Sequence, residues 1–188
     1  KPTALAAHPT KANFFAVGSE DGELVLLKQH EKGAFLDQCF INDVSNPHDF
    51  IVKSASEDED PSPLISSLAW SPSGDLLMVG GDECVRVFSV TNPNDLGLQV
   101  ELKEVSTVAL GNTSTDLVAF LNETTVVTLG NQTEKIQVWN IAEAEAKKPI
   151  AESAPATEMT RGCVVVGSGC VLLVDEGATE EIEVWKLP

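Results

Sequence analysis

Basic side chains are scarce in this chain of 188 residues: 12 Lys and Arg stand against 29 Asp and Glu, a formal charge of −17. That balance repels a phosphate backbone, so general nucleic-acid binding is not expected; it suits solubility and, where a partner exists, a basic protein. No run of about 18 apolar residues occurs, so no bilayer-spanning helix is expected. The opening KPTALAAHPTK has neither a basic leader nor a continuous apolar stretch of signal-peptide length, and no secretory signal is expected from it. The four cysteines, Cys39, Cys84, Cys163 and Cys170, form no CxxC pair and have no nearby histidine at zinc-ligand spacing. They are read as reduced thiols in an intracellular protein, cytoplasmic or nuclear; Cys84, Cys163 and Cys170 lie in or beside apolar runs, where a thiol behaves as a small hydrophobe. In that setting the Asn-x-Ser/Thr matches at Asn112, Asn122 and Asn131 are chance matches rather than glycosylation sites.

Catalytic apparatus is equally thin. Histidine is limited to His8, His30 and His48. His8 precedes a proline in a turn and is read as a surface turn residue; His30 and His48 fall in loops with no spaced set of Cys or carboxylate ligands. Neither a P-loop nor a GxSxG turn occurs. The VGSGC stretch at 166–170 resembles a phosphate-binding loop, but strand-like runs flank it and no helix follows to offer its N-terminal amides, so a hairpin turn explains it. No catalytic residue, cofactor or metal site is expected, and the chain is not read as an enzyme.

What is present is a repeat. LAWSPSGDLLMVGGDECVRVFSV (68–90) and LVAFLNETTVVTLGNQTEKIQVWNI (117–141) each read as a short apolar strand, a polar turn, a second strand ending in Gly, another turn, and an alternating third strand closed by an aromatic residue. LAAHPTKANFFAVGSEDGELVLL (5–27) and CVVVGSGCVLLVDEGATEEIEVWKL (163–187) are two further copies. One such unit cannot bury both of its apolar faces alone, so repetition at this size implies a stacked architecture. Superposing the copies aligns Leu27, Phe88, Trp139 and Trp185, at intervals of 61, 51 and 46 residues. The units are placed at about 3–53, 64–104, 115–154 and 161–187 within a single segment spanning 1–188. The acidic run SASEDEDPSP (54–63), with two prolines and no large apolar residue, is expected to be an exposed, mobile loop. Fourth, outer strands are expected in 34–41 or alternatively 49–53 for the first unit, and in 96–105 for the second. The 142–156 run of the third unit reads as a helical turn or linker. The fourth unit shows three strands, so the set is expected to be part of a larger ring, completed by residues outside it or by another chain.

The LAWSPSG turn, the Gly80-Gly81-Asp82 turn and the VRVF, IQVW and IEVW strand endings resemble the WD-repeat β-propeller family, whose blades run about 40–45 residues with four strands each. The resemblance implies an all-β propeller of four-stranded antiparallel blades, about four of them here, with the ring incomplete. The copies are divergent. The family's Gly-His pair is absent, and its closing Trp-Asp is Trp139-Asn140 and Trp185-Lys186. In the family a turn Asp, a His and a Trp form a hydrogen-bonded set; Asp21 and Asp82 match the Asp position but have no His partner. Phe88, Trp139 and Trp185, in the same repeat register, are read as packing between blades rather than as a recognition cage, and Trp70 likewise.

Ser54 and Ser56 each have an acid three residues on, Glu57 and Glu59, and are candidate phosphorylation sites; phosphate there would deepen a negative patch that an Arg-rich partner could meet. Binding residues are expected in turns, among them 72–75, 20–23 and 122–124. The function these readings favour is a non-enzymatic scaffold for protein–protein interaction, a subunit of an intracellular multiprotein complex. The alternatives are a regulatory propeller such as a guanine-nucleotide exchange factor, and an acidic reader of basic, histone-like peptides.

Overall fold

Period-two apolar alternation, broken by Gly, Pro, Asn and Ser, gives fifteen strands and no helix among the described residues, which are 1–12, 14–29, 36–40, 64–91, 101–130, 135–142, 144–153, 161–165, 170–174 and 182–186 of the computed structural model. The first sheet is an antiparallel meander of β1 (Pro2–Ala7), β2 (Phe14–Ser19), β3 (Leu24–Gln29) and β4 (Leu36–Phe40), in that order. Strand β4 falls in the first of the two stretches proposed for it. Gly22, at φ 76°, makes the β2–β3 turn in a left-handed conformation that a Cβ would penalise.

Next come β5 (Ser67–Trp70), β6 (Leu76–Gly80), β7 (Asp82–Thr91), β8 (Glu101–Phe120), β9 (Thr125–Gly130), β10 (Ile136–Asn140), β11 (Glu145–Ala146) and β12 (Ala151–Ser153). They are continuous in hydrogen bonding because β8 serves two blades. Its residues 101–109 pair with β7 as an outer strand, and 115–120 pair with β9 as the innermost strand of the next blade. The sequence places an outer strand at 96–105 and an inner one at 117–120. In the structure the chain stays extended between them, with register shifts at Asp82/Cys84 and Thr115/Leu117 absorbing the change of partner.

The third blade also corrects an expectation. The run read as a helical turn or linker contains β12, antiparallel to β10, and β11, parallel to β8. Ala, Glu and Ser have low strand propensity, so the pattern is faint; side-chain contacts with the neighbouring strand supply what propensity lacks. Gln137 Nε2 donates to Glu152 Oε2 at 3.1 Å, and Lys135 pairs with Glu152 Oε1. Those two donors, Lys135 foremost, hold the Glu152 carboxyl below its ordinary range. The last sheet is β13 (Arg161–Val165), β14 (Cys170–Val174) and β15 (Ile182–Lys186), antiparallel in that order. Among the described residues no strand pairing joins this sheet to the first, and the ring is open.

The core lies between blades. Ala4, Ala6, Phe14, Ala16, Leu24 and Leu26 of the first blade meet Leu68, Trp70, Leu77, Val79, Phe88 and Val90 of the second. The second blade turns its other face, including Met78, Val85, Val87 and Val108, to Val118, Phe120, Val126 and Trp139 of the third. Each fully buried side chain of this kind contributes about 1.5–3 kcal/mol, so the interfaces, more than the individual sheets, hold the fold together. Close approach depends on two glycines, Gly18 one residue before the end of β2 and Gly80 at the end of β6. A Cβ on Gly18 would lie 2.8 Å from Ile65 Cβ, and one on Gly80 would lie 2.9 Å from Val118 Cγ1. Polar stitches follow the same seams: Thr3 Oγ1 donates to Ile65 O at 2.6 Å, Ile65 N–H to Ser19 O at 3.1 Å, and Val118 N–H to Ser67 Oγ at 3.1 Å.

Candidate functional site

Antiparallel strands deliver their connecting turns alternately to two rims. One rim gathers the first turn of each of three blades: residues 8–12, 71–75 and 121–124. These turns touch. The Glu123 carboxylate accepts from Ser73 N–H at 2.7 Å and from Ser73 Oγ at 3.1 Å, tying the third blade to the second. Asn122 Oδ1 accepts from Thr124 N–H at 2.9 Å and fixes the turn that carries Glu123. Pro9, Thr10, Pro72, Ser73, Asp75, Asn122 and Glu123 are exposed along this strip. Of the turns singled out from sequence, 72–75 and 122–124 therefore share a rim, whereas 20–23 lies on the opposite one.

His8 ties the first blade into the strip. It is 5% exposed, not a surface residue. Its ring packs on Trp70, with centroids 4.8 Å apart, and on Phe14 at 5.5 Å in an edge arrangement. Thr10 N–H donates to Nδ1 at 3.2 Å, which leaves the proton on Nε2, and Nε2–H donates to Gly74 O at 3.1 Å. Both nitrogens are thus matched to the neutral ring. Burial first, and then Lys11, push its pKa below the ordinary value, against smaller opposing effects of the Gly74 carbonyl and Asp75. Gly74 has φ 82°, and a Cβ there would fall inside the imidazole, 2.5 Å from Nε2. Trp70 Nε1–H completes the junction by donating to Ala6 O at 3.2 Å. Sequence alone hides this role, because His8 and Gly74 lie in different repeats and are brought together by blade packing.

The other predicted positions separate. Phe88 and Trp139 lie in interblade cores, Trp139 at 2% exposure with Nε1–H donating to Thr128 Oγ1 at 2.9 Å. The indole proton is therefore satisfied by a threonine on the neighbouring strand of its own blade. Asp21 is exposed on the opposite rim, 3.5 Å from the terminal amine of Lys1. Asp82 begins β7 and Trp185 lies in β15. Ser54 and Ser56, with all of 54–63, fall outside the described residues, as do His30 and His48. Among the described residues no three His, Cys, Asp or Glu side chains converge as a metal cage, and no helix is long and apolar enough to cross a membrane.

Residues 57–89 match the family model described as WD domain, G-beta repeat. The β-propeller domain of Cps50 (Swd1) from Myceliophteria thermophila is similar at a TM-score of 0.69 and 15% identity, over 100% of this chain and 54% of that one. The WD40 repeats of RRP9 are similar at 0.64 and 13%, over 100% and 48%. Sqt1 from Chaetomium thermophilum is similar at 0.66 and 19%, over 99% and 44%. No curated protein matches the sequence. At such identities the likeness is one of fold: the molecule is an all-β propeller with an open ring. The family model covers one repeat, residues 57–89, and the chain spans about half the length of the solved chains it resembles. The matched repeat starts inside the acidic run that the sequence reading set between units.

Proposed function

We propose that this chain is a non-enzymatic protein–protein interaction scaffold, a WD-repeat propeller subunit of an intracellular multiprotein complex in the cytoplasm or nucleus. The observation that carries the proposal is the rim strip, in which turns from three successive blades are fixed to one another by His8–Gly74 and Ser73–Glu123. A binding surface made of pre-ordered turns loses little conformational entropy on association, which is what a scaffold needs. Asp75 and Glu123 on the strip, with a chain charge of −17, favour a basic partner and a salt-sensitive encounter. The sheets also offer strand edges on which a partner strand could add.

The test is retention of cellular proteins on the immobilised chain at low and at high salt, beside a Glu123→Lys, Asp75→Lys variant. Binding that weakens with salt and drops at least tenfold in the variant supports the rim. A column that stays empty at both salt concentrations sinks the proposal.

A further inference from the structure

The first rim turn holds its buried histidine between partners of two kinds. His8 Nε2–H donates to Gly74 O across the blade junction, while Nδ1 accepts from the N–H of Thr10, two residues on in its own turn. The Thr10 hydroxyl stands at the same nitrogen, with Oγ1 3.4 Å from Nδ1. One residue therefore brings both a donor that suits the neutral ring and a hydroxyl that can accept from the charged one. A proton on Nδ1 would face the Thr10 N–H, which cannot accept it. The hydroxyl can, so the charged ring keeps a partner there only by exchanging the amide for the hydroxyl.

We infer that His8 and Thr10 form a proton-operated latch on the rim: the neutral ring holds the Thr10 amide, and the protonated ring donates to the Thr10 hydroxyl and lets that amide go. The charges around the ring decide which part moves. Lys11, on the turn itself, repels an imidazolium; the Gly74 carbonyl and Asp75, both on the second-blade turn, favour it. Phe14 of β2 and Trp70 of β5, the aromatic neighbours, carry no charge. The ring therefore stays with the second blade and residues 9–11 shift. Their movement is bounded by His8 N–H donating to Phe14 O at 2.8 Å and Phe14 N–H donating to Lys11 O at 3.1 Å. Burial, the largest influence on the ring, favours the neutral form, so the latch is closed at neutral pH and opens in acid. Pro9 and Thr10 are exposed on the strip, so opening reshapes the first blade's share of it. The Ser73–Glu123 tie between the second and third blades does not involve His8. As regulation of binding the latch rests on the scaffold role proposed for the rim; as a movement of the turn it does not.

The experiment follows the amide and imidazole nitrogen resonances of the full chain by nuclear magnetic resonance as the pH is lowered from neutral. The Thr10 and Lys11 amides are expected to shift together with the His8 ring, at one midpoint below the ordinary 6.5, while the Val118 amide on the next seam does not. Thr10→Val keeps the amide and the branched shape but removes the hydroxyl, so it should move the midpoint down; Thr10→Ser should restore it. Lys11→Met, which removes the repelling charge, should move it up. A ring that titrates without the Thr10 amide, a midpoint indifferent to Thr10→Val, or loss of the whole folded spectrum at the same pH overturns the latch. If the latch titrates but the retention column stays empty, the scaffold proposal falls and this one stands; salt-sensitive retention with a silent Thr10 amide does the reverse.

Discussion

Replacing Gly74 by alanine perturbs the junction between the first two blades at its tightest point. The new methyl group would overlap the His8 ring, and both cannot stay where they are. Three costs follow. Holding an alanine at φ 82° costs about 1–2 kcal/mol. Displacing His8 breaks its bond to the Gly74 carbonyl, and a buried polar group left unpaired costs about 1–3 kcal/mol. Loosening the ring from Trp70 and Phe14 removes about 0.5–1.5 kcal/mol of aromatic contact. The expected loss is about 2.5–6.5 kcal/mol, a large share of the roughly 5–15 kcal/mol that stabilises a typical domain. For a chain of this size that lowers the melting temperature by about 10 °C. Urea titrations followed by far-UV circular dichroism would measure it, with tryptophan fluorescence reporting on Trp70. The decisive comparison is a double-mutant cycle with His8→Ala. Once the ring is gone, Gly74→Ala should cost only its backbone term, so the two changes together fall short of their sum by about 2 kcal/mol. Additivity within about 0.5 kcal/mol would refute the contact.

Acid should weaken the same junction. The folded state holds His8 neutral with its pKa below the ordinary 6.5, so between that lowered value and 6.5 the unfolded chain binds more protons. Stability is then fully present above pH 6.5 and declines as pH falls through the lowered pKa; a His8→Phe variant, measured in parallel melts, should lose that decline, and an unchanged profile would contradict it. At the neighbouring seam, Gly18→Ala forces a Cβ against Ile65 and should destabilise by about 1–3 kcal/mol. Adding Ile65→Ala should recover part of the Gly18→Ala loss, and no recovery in the same titration would mean the contact is not what matters. Thr128→Val leaves the Trp139 indole N–H without its acceptor and should cost about 1–3 kcal/mol, with a shift in tryptophan emission; a neutral result would show that another acceptor takes over.

Much of the architecture was legible because strands announce themselves locally. The 68–90 run carries its turns as Ser-Pro-Ser-Gly and Gly-Gly-Asp, and β5, β6 and β7 follow them closely. Strand β12 was illegible for the opposite reason: Ala151, Glu152 and Ser153 carry no alternation strong enough to read, and their place is set by β10 beside them. The rim was half legible. Turn composition marked 72–75 and 122–124 as exposed, but nothing in either stretch indicates that Glu123 reaches Ser73. His8 was misread on its immediate neighbours, since a histidine before proline in a polar turn looks solvated until Trp70 arrives from the next repeat.

The shared strand β8 has a consequence for how the molecule comes apart. One unbroken run from Glu101 to Phe120 closes one blade and opens the next, so peeling it from β7 pulls directly on its pairing with β9. The second and third blades should accordingly open as one cooperative unit, with their backbone amides exchanging hydrogen at a common rate set by a single opening event. A truncation placed near residue 110 would sever that strand and take from β9 the inner partner that residues 115–120 supply.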